Sequence, residues 1–103
     1  VRRKTLTGSH YDRTVTYLGG KRKLPLVKQE VWKDEDGNVV RYSFAYIDPW
    51  LFAGDNGRVL GYDNAHGHHH RHFCGSVTPV DFKGYDRLLA QFEHELRQLW
   101  RRR

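Results

Sequence analysis

The chain has 103 residues, a formal net charge of +6 and 29% charged residues. That length permits one modest core and excludes a two-domain cleft enzyme. Aromatic residues reach 14%, which excludes a disordered chain, because disordered chains lack the large side chains that drive burial.

A single domain over residues 1–103 is expected, with residues 1–24 forming an edge strand or a frayed arm. Val1-Arg2-Arg3-Lys4 is basic, residues 14–18 have strand character, and Gly19-Gly20 ends them. Residues 26–33 and 39–47 read as two strands across the Asp36-Gly37 turn, a hairpin signal. Alternation places Val40, Tyr42, Phe44 and Tyr46 on one face and Arg41, Ser43 and Ala45 on the other, so the aromatic face is the expected core. Asp48-Pro49 breaks that strand. Residues 58–63 and 68–74 read as two more strands around the Asn64–Gly67 turn, and Thr78-Pro79 reads as a connection. A helix is predicted over about residues 84–102, because Leu88, Leu89, Phe92, Leu96, Leu99 and Trp100 recur every three or four positions. Arg87, Gln91, His94, Glu95 and Gln98 are expected on its wet side. The predicted fold is α+β: an antiparallel meander of four to five strands with the C-terminal amphipathic helix packed on one face.

One cysteine, Cys74, leaves no internal disulfide framework and makes the cytoplasm the expected compartment. Cys74 itself reads as a small buried hydrophobe. No apolar run approaches the roughly 18 residues of a membrane span, so no membrane partner is expected. Basic charge permits nucleic acid, an acidic membrane face or an acidic protein partner and does not choose among them.

Five of the seven histidines fall within the segment His66-Gly67-His68-His69-His70-Arg71-His72. On a strand, His68, His70 and His72 share one face, and His69, Arg71 and Phe73 take the other. Imidazole titrates near neutral pH and serves as either general acid or general base. Two imidazoles on one strand face, about 7 Å apart, can flank one phosphodiester. Metal-independent RNA cleavage needs that pair: a base for the 2′-hydroxyl and an acid for the 5′ leaving oxygen. His70 and His72 are the expected pair, with His68 or His69 assisting and Asp63 orienting a ring. Arg41, Arg58 and Arg71 are candidate phosphate ligands, and Tyr62 a candidate substrate contact or a core aromatic. No cofactor is then required. The alternative is Zn²⁺ held by His68, His70 and His72 in a phosphodiesterase or nucleotidyl-transfer enzyme. A nucleic-acid or ribosome-binding module without turnover is a further alternative. The His-φ-His-φ-His-φ-φ pattern of histidine-triad hydrolases, with φ apolar, is broken here by His69 and Arg71.

Arg58-Val59-Leu60-Gly61-Tyr62-Asp63-Asn64, followed by His69-His70-Arg71-His72, resembles the TumE family of small bacterial toxins. The Tyr-rich strand Arg41-Tyr42-Ser43-Phe44-Ala45-Tyr46 precedes both motifs. The resemblance extends over about residues 26–100. It implies a toxin component of a type II toxin–antitoxin pair, acting inside the bacterium. It also implies a hetero-complex with a cognate antitoxin, often of helix-turn-helix type. Ribonuclease activity follows from the histidines and the basic charge, not from the resemblance.

Overall fold

The structure, a computed structural model, describes residues 10–103. The basic start Val1-Arg2-Arg3-Lys4 lies outside the described residues. The strands are β1 (His10–Tyr17), β2 (Leu26–Lys33), β3 (Val39–Ile47), β4 (Arg58–Asp63), β5 (His70–Phe73) and β6 (Ser76–Pro79), and the helix α1 (Tyr85–Arg101) follows them. The strands form one sheet in sequence order, every neighbouring pair antiparallel. The α+β meander is as expected, but with six strands rather than four or five.

β1 is the expected edge strand and β6 is the additional one. β1 starts at His10, four residues before the predicted segment, and pairs along its whole length with β2. β6 follows β5 through a two-residue turn in which Cys74 (φ 47°) and Gly75 (φ 85°) are both left-handed. That geometry matches the right-handed twist of the flanking strands, and Asn-Gly or Asp-Gly usually supplies it. With Cys in the first position, the signal is hidden. Cys74 is consequently exposed at the turn and not buried as expected. Pro79 is compatible with β6 because that strand is an edge.

The β2–β3 turn is set by Asp34, whose Oδ1 accepts hydrogen bonds from the backbone N–H groups of Asp36 and Asn38. Beyond it, the alternation in β3 holds from Tyr42 onward, but Val40, expected on the core face, is 43% exposed, because Trp32 pairs with Arg41 and Lys33 with Val39, which leaves Val40 as the extra residue of a bulge. Tyr42, Phe44 and Tyr46 are buried on one face, joined there by Leu60 and Tyr62 from β4. The helix lays Leu88 and Phe92 onto this aromatic layer, with Phe92 ring-packed on Phe44 and Tyr62 at 5.4 and 6.2 Å. Val27 and Val59 complete the buried cluster.

The wet side of the helix is narrower than expected. Glu95 accepts a hydrogen bond from the Tyr62 hydroxyl and pairs with Arg71, while Gln91 donates its amide N–H to the same hydroxyl. These two polar side chains satisfy a phenol that the aromatic core would otherwise strand. At the far end, Arg103 donates to the fully buried Asp48 carboxylate, which also accepts from the Tyr46 hydroxyl. No helix among the described residues is long and apolar enough to cross a membrane.

Candidate functional site

The sheet is asymmetric. One face carries the core and α1, and no helix among the described residues covers the other. Ladder register fixes which residues share that open face, because directly opposed residues project to the same side. His70 lies opposite Asp63, which lies opposite Ser43. His72 lies opposite Gly61, which lies opposite Ala45. His68 extends the same row, and the ring centroids of His68, His70 and His72 are spaced 6.1 and 6.4 Å apart.

Asp63 sits between the two central rings. Its Oδ2 accepts from His72 Nε2 at 2.8 Å, and its Oδ1 is 4.0 Å from His70 Nδ1. The backbone N–H of Ala65 also donates to Oδ1, holding the carboxylate in place. His72 Nδ1 lies 3.2 Å from an Arg58 guanidinium nitrogen. A guanidinium only donates. His72 Nδ1 is therefore the acceptor, and Nε2 carries the proton given to Asp63. Both nitrogens of His72 are engaged, whereas His70 is the more open ring.

Strand alternation alone would put Arg58 on the core face beside Leu60. A bulge prevents this. Tyr46 pairs with Leu60 but Ile47 pairs with Arg58, so Val59 is an extra residue in β4. Val59 turns into the core and Arg58 emerges on the open face. There its side chain lies over Gly61. A β-carbon at position 61 would sit 2.9 Å from Arg58 Cδ and 3.0 Å from the Phe44 carbonyl oxygen, so only glycine leaves this space. Asp55 grips the other side of the guanidinium, accepting from Arg58 Nε at 2.8 Å. Asp55 and Asn56 hold left-handed φ values of 50° and 56° before Gly57 at 83°. This conformation is tolerated best by Gly, Asn and Asp.

The remaining sequence candidates lie elsewhere. His69 is on the core face, stacked on Phe82 at 3.9 Å with its Nδ1 2.7 Å from the Tyr42 hydroxyl. Burial, then the charges of His70 and His68, lowers its pKa. Burial, then the charges of Asp63 and Tyr62, pushes the Tyr42 phenol up to about 12. The phenol therefore donates to a neutral imidazole, a contact that anchors the β5 entry. Tyr62 is fully buried, its pKa raised to about 12 by burial and by Glu95. Arg71 also faces the helix; burial opposes its charge, but Glu95 outweighs that and raises its pKa. Its guanidinium lies over the Phe73 ring. Arg41 is on the open face, but over the Trp32 ring, and it lines a recess with His66 at the turn between β4 and β5.

Thus His68, His70, His72, Asp63 and Arg58 are gathered on one surface, while His69, Tyr62 and Arg71 support it from behind. Among the described residues, no three His, Cys, Asp or Glu side chains are grouped to hold a metal ion. The alternative set of His68, His70 and His72 does not converge on one point as arranged. Sequence reading missed Asp55 and Gly61. The available signals were the Asp55–Arg58 spacing and a glycine inside a strand, which often marks close approach. Asn64, read as a turn residue, replaces the ladder beyond β4: it accepts from Tyr42 N–H and donates to the Val40 carbonyl.

The family model described as Toxin TumE matches residues 15–100. No curated protein and no solved structure matches the chain.

Proposed function

The chain belongs to the TumE toxin family, and from that premise we propose that it is the toxin of a type II toxin–antitoxin pair acting as a metal-independent endoribonuclease. The observation that carries this reading is the pair His70 and His72, 6.4 Å apart by ring centroid and flanking Asp63 on an open sheet face. Arg58 reaches the same point from β4.

A phosphodiester entering this face draws the Arg58 guanidinium to its non-bridging oxygens. His72 Nδ1 then loses its donor and becomes a free lone pair. Asp63 keeps the Nε2 proton in place, so His72 has the tautomer and aim of a general base. His72 takes the 2′-hydroxyl proton, and the 2′-oxygen attacks phosphorus. Protonated His70 gives its proton to the departing 5′-oxygen. The products are a 2′,3′-cyclic phosphate and a 5′-hydroxyl, and no water is consumed in this step. Arg58 compensates the charge that develops on the phosphorane oxygens. His68 assists from the same row, and Asp55 aims Arg58. In this reading His69, Tyr62 and Arg71 act only through the fold.

Family membership also supports a cognate antitoxin as partner. A helix-turn-helix antitoxin, RNA as substrate and action in the cytoplasm belong to this proposal. The test is cleavage of bulk cellular RNA by wild type, His70→Ala and His72→Ala, each with and without EDTA. EDTA-resistant cleavage by wild type alone is expected. Cleavage abolished by EDTA and restored by Zn²⁺ would replace this reading with the metal-dependent one. Salt-sensitive binding without cleavage would replace it with a binding module.

A further inference from the structure

We propose that Tyr11, Trp32 and Arg41 form a stacking platform that holds an unpaired base of single-stranded RNA on the open sheet face. This rests on the reading of that face as the RNA site and names the form of RNA it takes.

The three residues form one transverse row on β1, β2 and β3, since Tyr11 pairs with Trp32 and Trp32 with Arg41. Tyr11 and Trp32 have ring centroids 4.9 Å apart, and the Arg41 guanidinium lies 4.9 Å from the Trp32 ring centre. Tyr11 is 49% exposed although it belongs to an aromatic pair. Cross-strand packing alone accounts for Tyr11 against Trp32. It accounts equally for Arg41 against Trp32, as a cation–π pair, but Arg41 is exposed, which leaves the outer plane of its guanidinium to a base and its N–H groups to phosphate. Aromatic and guanidinium planes on an open sheet are a sequence-tolerant way to hold unpaired bases. A duplex keeps its bases stacked inside and cannot use them.

Placement relative to the histidines fits one strand of RNA. The platform row is two residues along the sheet from the row containing Glu30, Ser43, Asp63 and His70. Strand rise and spacing put Trp32 about 16 Å from His70, a few nucleotides along an extended chain. A recess of about 370 Å³, lined by Val40, Arg41, Asn64, Ala65, His66 and Gly67, adjoins Arg41 and runs to the turn between β4 and β5. Arg13 and Lys28 share the open face with Glu30, which pairs with Lys28 at 3.8 Å and accepts from the Tyr11 hydroxyl, so Arg13 is the further cation offered to the backbone. The formal charge of +6 favours the same polyanion.

The test is fluorescence anisotropy with a short 2′-O-methyl oligonucleotide, as single strand and as duplex. This probe lacks the nucleophile, so binding is read independently of cleavage. Trp32→Ala is expected to weaken single-strand binding by about 5- to 100-fold and leave duplex binding unchanged. Arg41→Ala, an exposed change, is expected to weaken it and to reduce the salt slope by about one. Trp32→Phe, which keeps an aromatic plane, should retain most of the affinity. Single-strand binding within twofold of wild type in both alanine variants overturns the platform. So does an equal loss for single strand and duplex, or for Phe and Ala at position 32. A wild type that shows the platform effect but cleaves no RNA would overturn the nuclease reading and leave the platform standing.

Discussion

The side chain of Arg58 lies across the α-carbon of Gly61, with Cδ 2.9 Å from where a β-carbon would be. This close approach ties the position of the guanidinium to the absence of a side chain two strands' width from the nearest edge. Gly61→Ala should therefore displace Arg58 from His72. RNA cleavage is expected to fall by about 10²-fold, as when a charge-stabilising donor is lost. Stability should fall by about 1–3 kcal/mol from overpacking against the Phe44 carbonyl. Cleavage kinetics beside urea denaturation will separate the two. A Gly61→Ala protein that folds and cleaves at the wild-type rate would remove Arg58 from the mechanism.

Asp63 holds the His72 tautomer by accepting its Nε2 proton. Asp63→Asn keeps the shape but offers an N–H where an acceptor is needed. The expected result is a fall in kcat between about 10²- and 10⁴-fold with KM little changed, because orientation of the base matters mainly in the transition state. A matching rise in KM at constant kcat would instead mark Asp63 as a binding residue.

His69 makes stability depend on pH in a defined window. Its folded pKa is lowered by burial and by its histidine neighbours, so the unfolded chain binds the proton more readily. Stability is complete above the ordinary value near 6.5 and falls as pH drops below it towards the folded value. His69→Phe keeps the stack on Phe82 but leaves the Tyr42 hydroxyl without its acceptor, at a cost of about 1–3 kcal/mol near neutral pH. The difference in unfolding free energy between the two proteins should narrow from pH 7 to pH 5. A constant difference across that range would show that His69 does not gain a proton on unfolding.

Asp48 governs a more acidic window. Burial opposes its charge, but hydrogen bonds from Arg103 and Tyr46 prevail and its pKa lies below the ordinary carboxylate value. Its contribution is present above that ordinary value and is lost as pH falls through the folded one. Asp48→Asn should cost about 1–3 kcal/mol at neutral pH. Thermal unfolding followed from pH 7 to pH 2 should show a shallower acid-side decline in this variant. The same decline as in wild type would assign acid sensitivity to other carboxylates.

Much of the scaffold was legible because its signals are local. Alternation in Tyr42-Ser43-Phe44-Ala45-Tyr46 names the core face, since side-chain direction reverses at every residue of a strand. The apolar stripe from Leu88 to Leu99 names the helix. The same period of two separates His70 and His72 from His69 and Arg71, and the register of β4 with β5 agrees. Cys74-Gly75 was missed because a left-handed turn can be imposed on a residue that does not advertise it.

The sequence by itself thus determined the alternating faces, the helix and the row of histidines, all of which follow from the periodicity of one chain segment. Only the tertiary structure decided their partners. The bulge at Val59 reverses the face of Arg58, which periodicity would send into the core. Glu95, thirty-three residues from Tyr62, leaves the wet side of the helix to satisfy its hydroxyl. Arg103 closes on Asp48 across fifty-five residues. Such pairings depend on register and on loops that bring distant segments together, and a period read along the chain carries no information about either.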